Sequence, residues 1–364
     1  MTSPLPPPYH QSPGVTLYTG DAHDVLAGFP SASVDCVVTS PPYWRQRDYG
    51  TRQWTGGDPG CRHRAASRRT AGPRLAVARC RSCAAVQEDR QYGQESTPDA
   101  YITALRRVFG ELARVLIPTG TVWLNLGDTY ASRLPPVAVP AAPTGTAVIP
   151  LRRRNLLGLP WHVAFGLQAD GWIVRNAIVW WKKNAMPEPV TDRFSTRYEL
   201  LFLLVREQRH YLDLDAIHAH RTALEPSSQN QAARVESTDA QARLVGPAPR
   251  RRPRATGGAD RTERDAAGEL LSDVWAINTR PLAEPHFATY PIDLPLRCIA
   301  AGCPPYGTVL DPFSGTATTG LAARALNRPY VGIDLNPAFH DIAIARLARA
   351  PDQARAAVPP ADAA

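Results

Sequence analysis

Four short apolar runs in this chain each close on a polar residue, and no other feature restricts the fold as much. Residues 33–38 run into Thr39-Ser40, residues 121–126 into Gly127-Asp128, residues 308–310 into Asp311, and residues 330–333 into Asp334. Short apolar runs of this kind are strands buried on both faces, as in parallel sheets. Open α/β sheets bind ligands beyond the carboxyl ends of their strands, so the closing residues are the first candidates for a site.

The connections agree with that reading. Thr97-Pro98-Asp99 supplies a helix cap, a proline at the first helical position and an early acid. Leu105, Val108, Phe109, Leu112, Val115 and Leu116 follow at helical spacing, and Pro118-Thr119-Gly120 is expected to stop the helix before the next strand. This is a β-α-β march, with the helix packed on one face of a parallel sheet. Further strands are expected over 15–18, 172–181 and 199–205, with helices over 160–169 and 292–301.

The first closing segment, Thr39-Ser40-Pro41-Pro42-Tyr43-Trp44, makes a rigid ledge. Ser40 can accept a hydrogen bond from an amino group, and so can the Pro41 carbonyl, whose direction the prolines fix. Tyr43 and Trp44 offer ring faces on which a planar base can stack, worth roughly 1–3 kcal/mol. A plain Pro-Pro turn with two core aromatics is the alternative. Asp21, after the strand at 15–18, can either hydrogen-bond a ligand amino group or cap the following helix. In Val309-Leu310-Asp311-Pro312-Phe313-Ser314-Gly315-Thr316-Ala317, a strand enters a glycine turn and then a helix starting near Leu321, which lets backbone approach a ligand closely. Asp334 ends a strand about twenty residues later, where a carboxylate can take both hydroxyls of a ribose. No full G-x-G-x-x-G is present, which argues against NAD.

These segments resemble the motifs of amino-group DNA methyltransferases. Ser40-Pro41-Pro42-Tyr43 is similar to the catalytic (D/N/S)-P-P-(Y/F/W) motif. The segment from Asp311 to Thr318 is similar to the AdoMet motif D-x-F-x-G-x-G-T, with Ala317 in place of the second glycine. His286-Phe287-Ala288-Thr289-Tyr290-Pro291 resembles the segment under the methionine end of AdoMet. The catalytic motif comes first, as in the permuted "beta" group. Over most of residues 15–350 the resemblance implies a Rossmann-like AdoMet-dependent methyltransferase fold, α/β, with a mostly parallel doubly wound sheet and circularly permuted motif order. It implies catalysis by Ser40, Pro41, Pro42 and Tyr43 on a base flipped from double-stranded DNA. AdoMet would be held by Asp21, Phe287, Thr289, Pro291, Asp311, Phe313, Gly315, Thr316 and Asp334. The loop 181–187 resembles the one flanking the flipped base. Serine at the first motif position favours N4-cytosine over N6-adenine. A C5-cytosine enzyme would need a Pro-Cys nucleophile, whereas the chain offers only the reversed Cys303-Pro304. Methylation of a protein glutamine or a small amine, or an inactive DNA-binding protein of the same fold, are the competing readings.

Residues 61–90 interrupt the core. They carry eight arginines against one glutamate and one aspartate, and no aromatic residue. Such a segment cannot build a core of its own. Cys61, His63, Cys80 and Cys83 would solve that problem by holding a structural zinc, the alternative being an arginine-rich loop with incidental thiols. The expected organisation is a catalytic half at 15–60 and 91–221 and a basic zinc-binding insertion at 61–90. A mobile target-recognition segment follows at 222–270, then an AdoMet-binding half at 271–350, with flexible tails at 1–14 and 351–364. The formal charge of +8 favours a polyanionic partner, with the arginines of 61–90 and 250–254 expected on phosphates. Arg152-Arg153-Arg154 ends a proline- and alanine-rich stretch that reads as a solvated surface loop, with folding over DNA or cofactor the alternative. No apolar run is long enough for a membrane span and residues 1–14 do not form a signal peptide, so a cytoplasmic protein is expected. A restriction partner, where one exists, is expected to be a separate protein.

Overall fold

Period-two alternation along β3 (Val34–Thr39) sends Val37 to one side of a sheet and Cys36 and Val38 to the other, and helices cover both sides. The computed structural model describes residues 4–63, 79–131, 153–217, 272–279 and 290–355. Its main sheet contains β1 (His10–Ser12), β2 (Val15–Thr19), β3, β6 (Leu116–Leu126), β7 (Ile173–Trp181), β8 (Tyr198–Val205), β9 (Val274–Ala276), β10 (Val309–Asp311) and β11 (Tyr330–Asp334). The order across it is β1-β2-β11-β10-β3-β6-β8-β7-β9. From β2 to β6 every pairing is parallel, so those five strands end at one edge. β8 pairs antiparallel with both β6 and β7, and β9 joins β7 in parallel. A separate two-stranded sheet joins β4 (Gln53–Thr55) to β5 (Val86–Glu88).

α1 (Ala22–Ala27), α2 (Pro98–Val115) and α3 (Leu159–Ala169) pack on the Val37 side. α4 (Asp293–Gly302), α5 (Thr318–Ala325) and α6 (Pro337–Arg355) pack on the other. The doubly wound sheet expected from the sequence is thus present. α2 shows why its residues form a helix. Thr97 accepts from the Ala100 N–H at 3.1 Å, Pro98 fills the first turn, and Leu105, Phe109 and Leu112 on one stripe are fully buried. The helix stops earlier than the Pro118–Gly120 signal suggests. Leu116 already pairs with Val34, so ladder formation takes the chain out of the helix at once.

Other differences have equally local causes. His10–Ser12, inside the segment expected to be a tail, pairs antiparallel with β2, and the Tyr9 hydroxyl reaches Asp341 at 2.7 Å. α6 likewise continues to Arg355, into the second expected tail. β4, which precedes the expected insertion, pairs with β5 inside it. α5 begins at Thr318 rather than near Leu321. Ala317 leads into it at φ 58°, ψ 44°, a left-handed conformation that a glycine adopts freely and an alanine only with strain. The segment 222–270, the basic run 250–254 and Arg152 lie outside the described residues.

Candidate active site

The shared edge of β2, β11, β10 and β3 collects the closing residues. A cleft of about 810 Å³ opens there, with Asp21, Ser40, Pro42, Asp311, Phe313, Gly315, Thr316 and Asp334 in its wall. Burial pushes the Asp334 carboxyl up to about 6, although it accepts from the Gly315 and Asn336 N–H groups, each at 2.8 Å. Asp311 is held more firmly. Thr39 and Thr319 donate to it at 2.7 and 2.6 Å, with longer bonds from the Phe313 N–H and the Tyr290 hydroxyl. Its position ties the end of β3 to the end of β10. Asp21 takes the helix-capping role expected of it. It caps α1 by accepting from His23 N at 2.9 Å, accepts from the Tyr92 hydroxyl at 3.1 Å, and still faces the cleft.

Other expected contacts fall differently. Thr316 turns its hydroxyl and carbonyl oxygens to Arg346 at 2.7 and 2.6 Å, so its polar side serves the α6 contact. Pro291 is buried at the start of α4 and does not line the cleft, whereas its neighbour Tyr290 does. Phe287 and Thr289 lie outside the described residues.

A second cavity, of about 530 Å³, adjoins the first. Ser40, Pro41, Tyr43, Gln46, Arg47, Asn125, Trp180 and Glu199 line it, together with Tyr49 and Tyr290. Ser40, Tyr49 and Tyr290 belong to both cavities. The ledge therefore stands at the junction of two spaces.

The ledge is locked from behind. The Tyr43 hydroxyl donates to Glu199 Oε2 at 2.7 Å and accepts from Asn125 Nδ2 and from Ser40 Oγ, the latter at 3.2 Å. Asn125 also donates to Glu199, and Lys182 pairs with that carboxylate. Burial, then the Glu199 charge, holds the Tyr43 phenol well above its ordinary value, so it keeps its proton. Because Ser40 gives its hydrogen to Tyr43, its oxygen lone pairs remain for an incoming N–H. The Tyr43 ring lies against Gly127, where a Cβ would come within 2.6 Å of it; only glycine leaves that space. The Pro42 carbonyl accepts from Tyr101 at 3.0 Å, fixing the Pro-Pro turn.

Trp44 does not share the ledge. It is 3% exposed and its indole N–H donates to the Glu95 carbonyl at 3.0 Å, because the turn after Tyr43 points it into the α2 core. Trp180 is buried and Trp181 half-exposed, as alternation along a strand requires. The sequence reading missed Asn125 and Glu199 as partners of Tyr43. The available signal was a polar residue inside or opening an otherwise apolar strand. Tyr49, Gln91 and Tyr92 gave no such signal, since only the fold of the insertion brings them to the cleft.

Cys61, His63, Cys80 and Cys83 also meet, with ligand atoms all within 4.8 Å of one another.

The chain matches the DNA methylase family (N6_N4_Mtase) over residues 34–345. It belongs to that family. Among its relatives, the type II methyltransferases M.Cfr9I of Citrobacter freundii and M.XycI of Xanthomonas campestris pv. cyanopsidis are each 36% identical to it, covering 92% of this chain and 88% of theirs. M.SmaI of Serratia marcescens is 32% identical, covering 92% and 90%. A solved structure, the PvuII DNA methyltransferase (cytosine-N4-specific), shares the fold with a TM-score of 0.55 at 14% identity, covering 94% of this chain and 92% of that one. This DNA methylase is an AdoMet-dependent enzyme of the amino-methylating family, with the family's α/β fold. No helix among its described residues is long and apolar enough to cross a membrane.

The half-buried Asp334 predicts a pH dependence. Its folded value near 6 lies above the ordinary 3.8, so the folded protein holds the proton more tightly than the unfolded chain. That contribution to stability is complete below about pH 4 and is lost as pH rises through 6. The ionised carboxylate is the stronger acceptor for a ligand hydroxyl, so if Asp334 holds the AdoMet ribose, AdoMet affinity should fall below pH 6, by up to about tenfold per unit. Calorimetry between pH 5 and 8 checks this, and Asp334→Asn should flatten the profile.

Proposed function

We propose that the enzyme transfers a methyl group from AdoMet to the exocyclic amino group of a base flipped out of double-stranded DNA, and that the base is cytosine, methylated at N4. One observation carries the reading. The large cleft at the strand ends and the second cavity share Ser40, so a ligand in one faces a base in the other across the ledge. A base inside a duplex cannot reach such a recessed point, hence flipping.

In this reading the cleft holds AdoMet, which supplies an electrophilic methyl group when bound. Asp334 takes the ribose hydroxyls, Gly315 gives the backbone room, and Phe313 and Tyr92, in edge contact at 5.2 Å, form an apolar wall. In the second cavity Tyr43 faces the base, while Ser40 Oγ and the Pro41 carbonyl accept its two amino hydrogens. That orients the nitrogen lone pair and stabilises charge developing on nitrogen, so the rate comes from positioning and electrostatics. Arg47, exposed at the rim, can meet a phosphate.

The donor set Cys61, His63, Cys80 and Cys83 suits one structural zinc. The Cys61 and Cys80 sulfurs are 3.8 Å apart, matching the roughly 3.8 Å edge of a tetrahedron with bonds of about 2.3 Å. Acting on DNA places the enzyme in the cytoplasm, as the modifying partner of a separate restriction enzyme. The base is tested by exposing DNA to the enzyme and detecting modified bases. N4-methylcytosine is expected. N6-methyladenine would reassign the base, and no modified base would remove the reading.

A further inference from the structure

The basic insertion has two ends, and they do different things. At one end sit Cys61 and His63, after β4, and Cys80 and Cys83, before β5. At the other, the residues just before β4 and just after β5 reach the cleft assigned to AdoMet: Tyr49, Thr51, Gln91 and Tyr92. Among the described residues, the three-rung β4–β5 ladder runs between the two ends.

A short two-stranded ribbon is barely stable in water by itself. This one has little else to hold it, since Cys80 and Ala85 are its fully buried residues among those described. The ligand end is nevertheless closely built. Cys83 Sγ approaches His63 Nδ1 to 3.2 Å, and the Trp54 ring lies 5.2 Å from the His63 ring. Gly57 lies so close that a Cβ there would come within 2.7 Å of Cys83 Sγ. A metal at this point would supply the cross-link that the missing core does not.

The cleft end is wired to the ribbon by hydrogen bonds. Asp89, one residue past β5, accepts from the Thr51 hydroxyl at 2.8 Å, Arg52 Nε at 3.2 Å and the Gln91 N–H at 3.0 Å. Gln91 accepts from the Tyr49 N–H at 2.7 Å and donates to the Arg47 carbonyl at 2.8 Å. The wall so formed then touches the sheet edge. Tyr92 donates to Asp21, Asn336 donates to the Tyr49 carbonyl, and the Tyr49 ring meets Phe339 edge-on at 6.1 Å.

We propose that the Cys61–His63–Cys80–Cys83 centre is a positioning device for the AdoMet cleft: zinc fixes the ribbon, the ribbon fixes the Tyr49–Thr51–Gln91–Tyr92 wall, and AdoMet affinity follows metal occupancy. The proposal rests on the zinc and AdoMet assignments above and adds the coupling between them.

The test uses the full-length protein, produced with zinc in the medium. Metal content is measured by mass spectrometry and AdoMet affinity by calorimetry, before chelation, after it, and after zinc is returned. One zinc per chain is expected, with AdoMet affinity falling about tenfold on chelation, the loss of one or two wall contacts, and recovering on add-back. A chelated protein that still melts cooperatively and binds AdoMet with unchanged affinity overturns the coupling and leaves the zinc assignment standing. Protein without zinc from the start overturns both. Zinc-loaded protein that binds no AdoMet instead removes the cofactor assignment beneath the proposal.

Should the chelated chain fail to fold, Asp89→Ala decides. Asp89 does not line the cleft and ligates nothing, but it joins the two ends. The variant should keep one zinc per chain and lose AdoMet affinity several-fold. Unchanged affinity in that variant overturns the coupling.

Discussion

Tyr43→Ala is expected to cut single-turnover methyl transfer by about a hundredfold or more, the scale of losing orientation at the reacting atoms. DNA binding should change little, because most of its strength comes from phosphate contacts elsewhere. Two losses combine in that variant. The ring proposed to face the base disappears, a stacking contact worth roughly 1–3 kcal/mol. The hydroxyl that receives the Ser40 hydrogen disappears as well, freeing Ser40 to rotate. Tyr43→Phe separates them, since it keeps the ring and removes only the bonds to Ser40, Asn125 and Glu199. It should fall between wild type and alanine. Gel-shift titration at several salt concentrations, beside methylation at saturating DNA, measures both properties. Wild-type transfer by Tyr43→Ala under saturation would show that the ledge is not the catalytic site.

The second large effect concerns the cofactor. Asp334→Ala should weaken AdoMet binding by roughly 10- to 150-fold, the range for losing one hydrogen bond to a charged acceptor of about 1.5–3 kcal/mol. The carboxylate also receives the Gly315 and Asn336 N–H groups, so alanine orphans two donors, one in the turn after β10 and one just past β11. Asp334→Asn keeps an acceptor there and should bind better than alanine. Calorimetry on variants with wild-type melting curves is the check. Undiminished affinity for Asp334→Ala would place AdoMet elsewhere.

How much of this was legible depended on whether the cause was local. Buried parallel strands announce themselves as apolar runs, so the ends carrying Ser40, Asp311 and Asp334 could be placed on one edge from the sequence. Motif resemblance then added the chemistry. Trp44 was misread because Tyr43 and Trp44 look alike as aromatics, and only the turn decides which one meets the core. Asp311 was readable as a polar strand end, but its bonds from Thr39 and Thr319 depend on which strands become neighbours. Glu199 and Asn125 reach Tyr43 only through the antiparallel pairing of β6 with β8, and nothing in the local pattern fixes that register. β4 lies before the expected insertion at 61–90, yet its three residues pair with β5 inside that span, a partnership no local pattern signals.

The sheet order β2-β11-β10-β3 has a consequence for how the enzyme is made. Thr39 and Asp311, which meet beneath the ledge, are 272 residues apart in the chain. At a synthesis rate of about 5–20 residues per second, the ribosome needs on the order of 15–50 s to deliver the second after the first. Throughout that interval β2 and β3 lack the strands that belong between them, and their open edges invite pairing with other chains. A nascent polypeptide stalled before Val309 can therefore neither close its sheet nor seat the Thr39 hydroxyl, and it carries Ser40 and Tyr43 with no cofactor wall opposite. The ledge gains its opposite wall only once β10 and β11 have been made.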